Sequence, residues 1–241
     1  MPKRLLVAAA AVVVFAVAFF ANARRLLNTR GAVARTTIRS PEEHTTTDGS
    51  GAVRSVQAAD VDLPAEAADE IWTPMHLERL ARTYWRFLTR ITLGAVRVRY
   101  RDDGRDVCLF GIRWLPLLTF QAPEYEMDDT RGIVRWRIEK GLLVARQGRG
   151  GKGYLEIDVR RCPPPSRGQA RLHVELEVAN FYPAIASGFG RWFYANTQSR
   201  IHVIVTHSFL RSLARLDLAE SQVGSLVGVE DVPDPGTLIR T

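Results

Sequence analysis

Between Ala95 and Ala179 the chain repeats one pattern: an apolar residue at every second position, broken by short polar stretches. Side chains alternate faces only in an extended strand, so this period of two makes each segment a strand with one apolar and one polar face. Val96, Val98 and Tyr100 alternate with Arg97, Arg99 and Arg101, and Asp102-Asp103-Gly104 is a turn. Strands follow at Val107 to Ile112 and Leu115 to Ala122. After Asp128-Asp129-Thr130, Val134, Trp136 and Ile138 oppose Arg135 and Arg137. Lys140-Gly141 turns into a short strand, Leu142 to Arg146. Leu155, Ile157 and Val159 then alternate with Glu156, Asp158 and Arg160. After CPPPSRG, Leu172, Val174, Leu176 and Val178 alternate with Arg171, His173, Glu175 and Glu177. Connections this short join neighbours head to tail, which predicts an antiparallel meander.

A sheet with one apolar face needs a second layer to cover it. Two segments have helical period. Thr73 caps a helix with Pro74 at its first position, where the missing N–H costs nothing. Leu77, Leu80, Ala81, Tyr84, Leu88 and Ile91 form its apolar stripe; Arg79, Arg82, Arg86 and Arg90 run along another face, and Gly94 ends it. From Pro183 to Leu216 the chain is apolar-rich, with Ile201, Val205, Phe209 and Leu213 on one helical face. A first strand is expected between Ala52 and Leu63. The predicted class is α+β: an antiparallel meander packed on a long C-terminal helix.

Ahead of this body stands LLVAAAAVVVFAVAFFA, Leu5 to Ala21, without a charge. That length is near the minimum for a helix crossing a hydrocarbon core about 30 Å thick. An export signal is the other reading, because Lys3 and Arg4 precede the run and Ala21-Asn22-Ala23 has the small-x-small form of a cleavage site. The run exceeds the usual signal core, and Arg24 and Arg25 follow directly, which favours a retained single-pass anchor. Arginines after the run outnumber the basic residues before it, which places the body on the cytoplasmic side in preference to the exported one. The domains read as 1–27 anchor or signal, 28–51 flexible linker, 52–218 α+β domain, and 219–241 loose tail.

With 33 Lys and Arg against 26 Asp and Glu, the net charge is +7. Next to a membrane segment, anionic lipid is the expected partner. Candidate contacts are Arg79, Arg82, Arg86, Arg90, Arg97, Arg99 and Arg101. Aromatic residues do not interleave with the basic ones as a stacking platform requires, so no nucleic acid is expected. GRGGKG, Gly148 to Gly153, lacks the Ser or Thr of a phosphate loop and precedes a strand, so it reads as a hairpin loop. His202 and His207 would sit about 140° apart on a helix; no metal site and no cofactor are expected. His76, in a first helical turn, reads as exposed. Cys108 and Cys162 read as ordinary buried thiols in preference to a pair formed in an oxidising compartment.

The stretch VDLPAEAADEIW, with its Pro-Ala step and the Ile71-Trp72 pair, resembles the opening of the START-related, polyketide-cyclase-like superfamily. The element order is similar over Ala52 to Asp217: strand, helical segment, meander, long final helix. The helix from Pro74 to Leu93 departs from that pattern, being longer and more basic than paired short helices. The resemblance implies a helix-grip fold whose sheet curls around the last helix and encloses an apolar cavity. Members bind lipids, sterols, polyketides or other apolar ligands, and some act as cyclases or assist transport and assembly.

No catalytic motif is present and no family catalytic residue maps onto the chain, so the reading leans towards a non-enzymatic protein. The leading expectation is a membrane-anchored binder of a lipid or other apolar ligand at an anionic membrane surface. Phe120, Tyr125, Trp136, Trp192, Tyr194 and His202 are the candidate cavity residues. A structural or assembly partner of a membrane complex is the alternative. A cyclase or hydrolase is a third reading, for which Tyr125, His202 or Glu124 would have to face the cavity.

Overall fold

The structure is a computed structural model. It describes residues 17–19, 21–26, 34–39, 45–110, 112–184, 208–210 and 213, with backbone alone at 112 and 113. In chain order the elements are β1 (Arg35–Ile38), β2 (Thr45–Thr47), β3 (Val53–Pro64), α1 (Ala65–Glu70), α2 (Pro74–Ile91), β4 (Val96–Arg101), β5 (Gly104–Leu109), β6 (Ile112–Gln121), β7 (Glu124–Met127), β8 (Arg131–Lys140), β9 (Gly153–Cys162) and β10 (Gln169–Phe181). The strands form one antiparallel sheet in the order β1-β3-β10-β9-β8-β6-β5-β4, with β2 on β3 and β7 on β8. The architecture is α+β and mostly antiparallel sheet, as the period of two requires.

The meander from β4 to β10 follows the sequence order. The one long connection brings β3 beside β10, with Val61 opposite Leu172 and Ala59 opposite Val174. β6 and β7 share β8 as partner: Phe120 faces Ile138, and Tyr125 faces Val134. The break between them falls at Ala122-Pro123, where proline has no N–H to give the ladder. Two expectations change. The stretch read as a flexible linker contains β1 and β2, both paired with β3. Leu142 to Arg146 is no strand: Val144 makes an isolated bridge to Pro183, and a 3-10 turn follows at Arg146–Gly148.

α2 starts as its sequence predicts, with Thr73 Oγ1 accepting the His76 backbone N–H at 3.2 Å. It closes at Gly94, whose φ of +79° suits a residue without Cβ and whose N–H reaches Thr89 O at 2.8 Å. Its buried residues are Leu77, Ala81, Tyr84, Trp85, Phe87 and Ile91. Trp85 and Phe87 are thus added to the expected stripe. The Trp85 ring lies 5.2 Å from both Phe120 and Trp136, on the inner sheet face, and 5.0 Å from Tyr84. Tyr84 in turn meets Phe209 at 5.2 Å.

Phe209, Leu210 and Leu213 are buried in the same core, and 208–210 are helical. The rest of the expected C-terminal helix lies outside the described residues. At the other terminus 21–26 are helical; Ala23 is buried, and Phe19 and Leu26 pack on the core. Asn22 donates to the carbonyl of Arg90 at 2.7 Å, which ties this segment to the C-terminal end of α2. Among the described residues no helix is long and apolar enough to cross a membrane. Most of the Leu5–Ala21 run lies outside them.

The outer sheet face is a lattice of opposite charges. Asp158 holds Arg131 and Arg160, Glu156 holds Arg135, Glu124 holds Arg137, Asp62 holds Arg171, and Asp60 holds Arg39 and His173. The carboxylates that alternate along the strands are therefore partners for arginine.

Candidate functional site

The inner face is mostly apolar, because Ala59, Val61 and Leu63 of β3 and the inward residues of β8, β9 and β10 are; Ser55 and Gln57 are buried polar positions at the start of β3. Where α2 begins, its first turns stand off the sheet and leave a cavity of about 70 Å³. Val61 and Val159 form its floor, with Leu172, Val174 and Gly132; Ile71, Leu77, Leu80, Met127 and Leu213 form its walls. Gly132 matters here: a side chain at that position would meet Leu77 Cδ2 at 3.5 Å, so the glycine keeps the floor open.

Its polar rim is Trp72, Thr73 and His76. Trp72 Nε1 donates to Asp128 O at 3.0 Å, and Arg161 lies 4.7 Å over its ring. His76 Nδ1 is 2.8 Å from Thr73 Oγ1, and Nε2 is 3.3 Å from Arg79 Nη1. A guanidinium can only donate, so Nε2 accepts and the ring proton sits on Nδ1. Burial, and then the Arg79 charge, hold the His76 pKa below its usual value, so the ring stays neutral. His76 is therefore half-buried at a cavity rim, where the sequence had it exposed. The histidine itself gave no signal, because the floor and far wall of the cavity it borders come from strands distant in sequence.

A second buried feature lies further along the inner face. Arg105 is only 6 % exposed. Its guanidinium lies over the rings of Trp136 at 5.1 Å, Tyr100 at 5.2 Å and Trp85 at 5.6 Å. Nε and Nη1 make no hydrogen bond. Burial pulls the Arg105 pKa down, while Tyr125, Tyr100 and Glu78 pull it back up. Burial also pushes the Tyr125 hydroxyl up, far out of the physiological range. Cation–π contact is what holds this charge inside.

The sequence candidates distribute as follows. Phe120 and Trp136 are core residues against Trp85 and do not line the cavity. Tyr125 is partly buried near Arg105, two residues along β7 from the cavity residue Met127. Glu124 faces outward, paired with Arg137 and Arg135, and so cannot serve chemistry inside. Trp192, Tyr194 and His202 lie outside the described residues. Among the proposed membrane contacts, Arg86 and Arg90 are exposed, Arg79 and Arg82 are half-buried, and Arg82 stacks on Tyr100 at 5.2 Å. Arg97, Arg99 and Arg101 share the outer face of β4, and Arg101 pairs with Asp103. Cys108 and Cys162 are free thiols, the first buried and the second partly so.

No protein-family model matches the chain, and no curated protein matches it. Solved structures do. A truncated norcoclaurine synthase from Thalictrum flavum aligns at 16% identity and a TM-score of 0.35, covering 69% of this chain and 96% of that one. A hypothetical protein from Helicobacter pylori aligns at 14% identity and a TM-score of 0.29, covering 71% and 96%. A protein from Arthrobacter aurescens aligns at 9% identity and a TM-score of 0.32, covering 77% and 94%. Likenesses this distant assign no activity and no residue role to this chain.

Proposed function

We propose that this chain is a non-enzymatic, helix-grip-type binder that takes an apolar group into the cavity under α2 and works at a membrane held by its N-terminal apolar run. The cavity lining carries the reading: ten of its thirteen residues are apolar or glycine, and the polar three sit together at one rim. About 70 Å³ is far below the several hundred Å³ of a drug-sized site. It suits the end of an alkyl chain or a similarly small apolar molecule. At about 0.8 kcal/mol for each buried methylene, such a site supplies modest affinity. At the rim both His76 ring nitrogens are engaged by Thr73 and Arg79, which leaves the Thr73 hydroxyl proton to donate and suits an uncharged polar end.

The test is native mass spectrometry of the full chain released from detergent, before and after denaturing extraction. Wild type is expected to carry an apolar molecule that extraction removes. Leu77→Trp, which fills the space above Gly132, is expected to lose it at an overpacking cost of about 1–3 kcal/mol. A clean mass for wild type, with no uptake of added octanol, overturns the proposal.

A further inference from the structure

The β5–β6 hairpin exposes the largest apolar side chains of the described chain. Trp114 is 81% and Phe110 63% exposed, and Leu109 and Leu115 beside them are exposed as well. A hairpin tip with no structural duty would be polar, because water solvates its backbone and nothing covers its side chains. This tip also overhangs. The last pair between β6 and β8 is Thr119 with Lys140, and past it the Leu142 and Leu143 N–H groups bond to Pro116 O and Leu117 O, so the stretch 112–115 runs on beyond that support.

Around the tip the charge is of one sign. The Arg97 guanidinium stacks on the Phe110 ring at 4.6 Å. On the other side, Leu115 and the exposed Leu142 share an open groove with Lys140, Arg146 and Arg149, and no carboxylate lines it among the described residues. None of these four cations forms an ion pair among the described residues, whereas the arginines on the outer faces of β8, β9 and β10 are held by carboxylates. Projecting aromatics flanked by unneutralised cations are the chemistry of insertion into an anionic lipid interface. The rings enter the headgroup boundary while the cations meet lipid phosphates.

The N-terminal segment agrees with this placement. Phe110 N–H bonds to Ala95 O, just beyond the end of α2. Asn22 binds the last carbonyls of that same helix, at Arg90 and Ile91. The apolar run that ends at Ala21 therefore joins the domain at the hairpin's end of the fold.

We propose that the β5–β6 hairpin, with Arg97 and the Lys140–Arg149 loop, is a docking surface for an anionic phospholipid bilayer. It rests on the membrane half of the reading above and is independent of what the cavity holds.

The experiment is hydrogen–deuterium exchange on the full chain in nanodiscs of phosphatidylcholine, with or without phosphatidylglycerol, and in detergent. Exchange at 109–118 and 140–149 is expected to slow in the anionic discs only, and to recover in about 0.5 M salt, where the Debye length falls to a few Å. In Phe110→Ser/Trp114→Ser the slowing is expected to vanish, while exchange in β8 to β10 stays as in wild type; both side chains are exposed, so the core is untouched. Equal exchange in both lipids overturns the proposal. So does slowing that persists in detergent together with a doubled mass, which would make the tip a protein contact. Slowing confined to the N-terminal run would leave the membrane reading standing and remove the hairpin from it. Loss of the cavity ligand would change none of these readouts.

Discussion

Arg105 shows how a single residue escapes a sequence reading. It stands beside the turn Asp102-Asp103-Gly104, where an arginine reads as one more surface charge. Register decides otherwise: it lies opposite both Tyr100 and Phe120, so it points inward under Trp85. A buried guanidinium keeps its desolvation cost, and no carboxylate within ion-pair distance offsets it among the described residues. Arg105→Met places an apolar chain of similar length against the same three rings. Stability is expected to hold or to rise by about 1–4 kcal/mol, read from the urea midpoint. A clear fall would show that cation–π attraction exceeds the desolvation cost. Trp85 was missed for a related reason. Its neighbour Tyr84 completed the periodic stripe, but α2 is covered from two sides, by Phe120 and Trp136 of the sheet at Trp85 and by Phe209 at Tyr84 and Phe87, which buries a wider arc than one stripe. Tyr84, Phe120 and Trp136 were legible as buried by period, Trp85 and Phe87 were not, and the partition between core and cavity was not legible either, because it depends on where α2 stands off the sheet.

At the scale of elements, β4, β5, β6, β8, β9 and β10 were legible from alternation and turn residues, whereas the short β7 went unread and Leu142 to Arg146 was read as a strand that does not form. β1 and β2 could not be read, because RTTI and TTT show no apolar alternation and are held only by the edge of β3. The outer face of β8 and β9 also has a measurable pH signature. Burial pushes the Asp158 pKa up, but hydrogen bonds and charge from Arg131 and Arg160 outweigh it, so the pKa falls below 3.8. Asp60 behaves alike: burial is outweighed by His173 and Arg39. A folded carboxylate held below its unfolded value contributes stability that is complete above pH 3.8 and is lost as pH falls through the lower folded value. Glu156 runs the other way: burial, not fully offset by Arg135, raises it above 4.5, so its contribution falls as pH rises through that value. Thermal melts from pH 5 to 2 are therefore expected to show stability dropping below 3.8. Asp158→Asn is expected to flatten that drop; a slope unchanged in the variant would rule Asp158 out as its source.

For the whole molecule, the cavity and the proposed docking end sit at opposite ends of β8, at Gly132 and Lys140. A bilayer at the hairpin would leave the rim of Trp72, Thr73 and His76 facing away from the lipid. The sheet is also open. β4 ends the strand order, so its outer backbone groups have no strand partner among the described residues. Such an edge is a template on which a second copy could lengthen the sheet. Arg97, Arg99 and Arg101 stand along it, and two chains meeting there would bring these like charges face to face. The alternating arginines thus act against self-assembly whatever else they touch. Arg99→Thr/Arg101→Thr is expected to raise the rate of aggregation in light scattering at unchanged thermal stability. In that sense the strand that most clearly announced the sheet also sets where the sheet must stop.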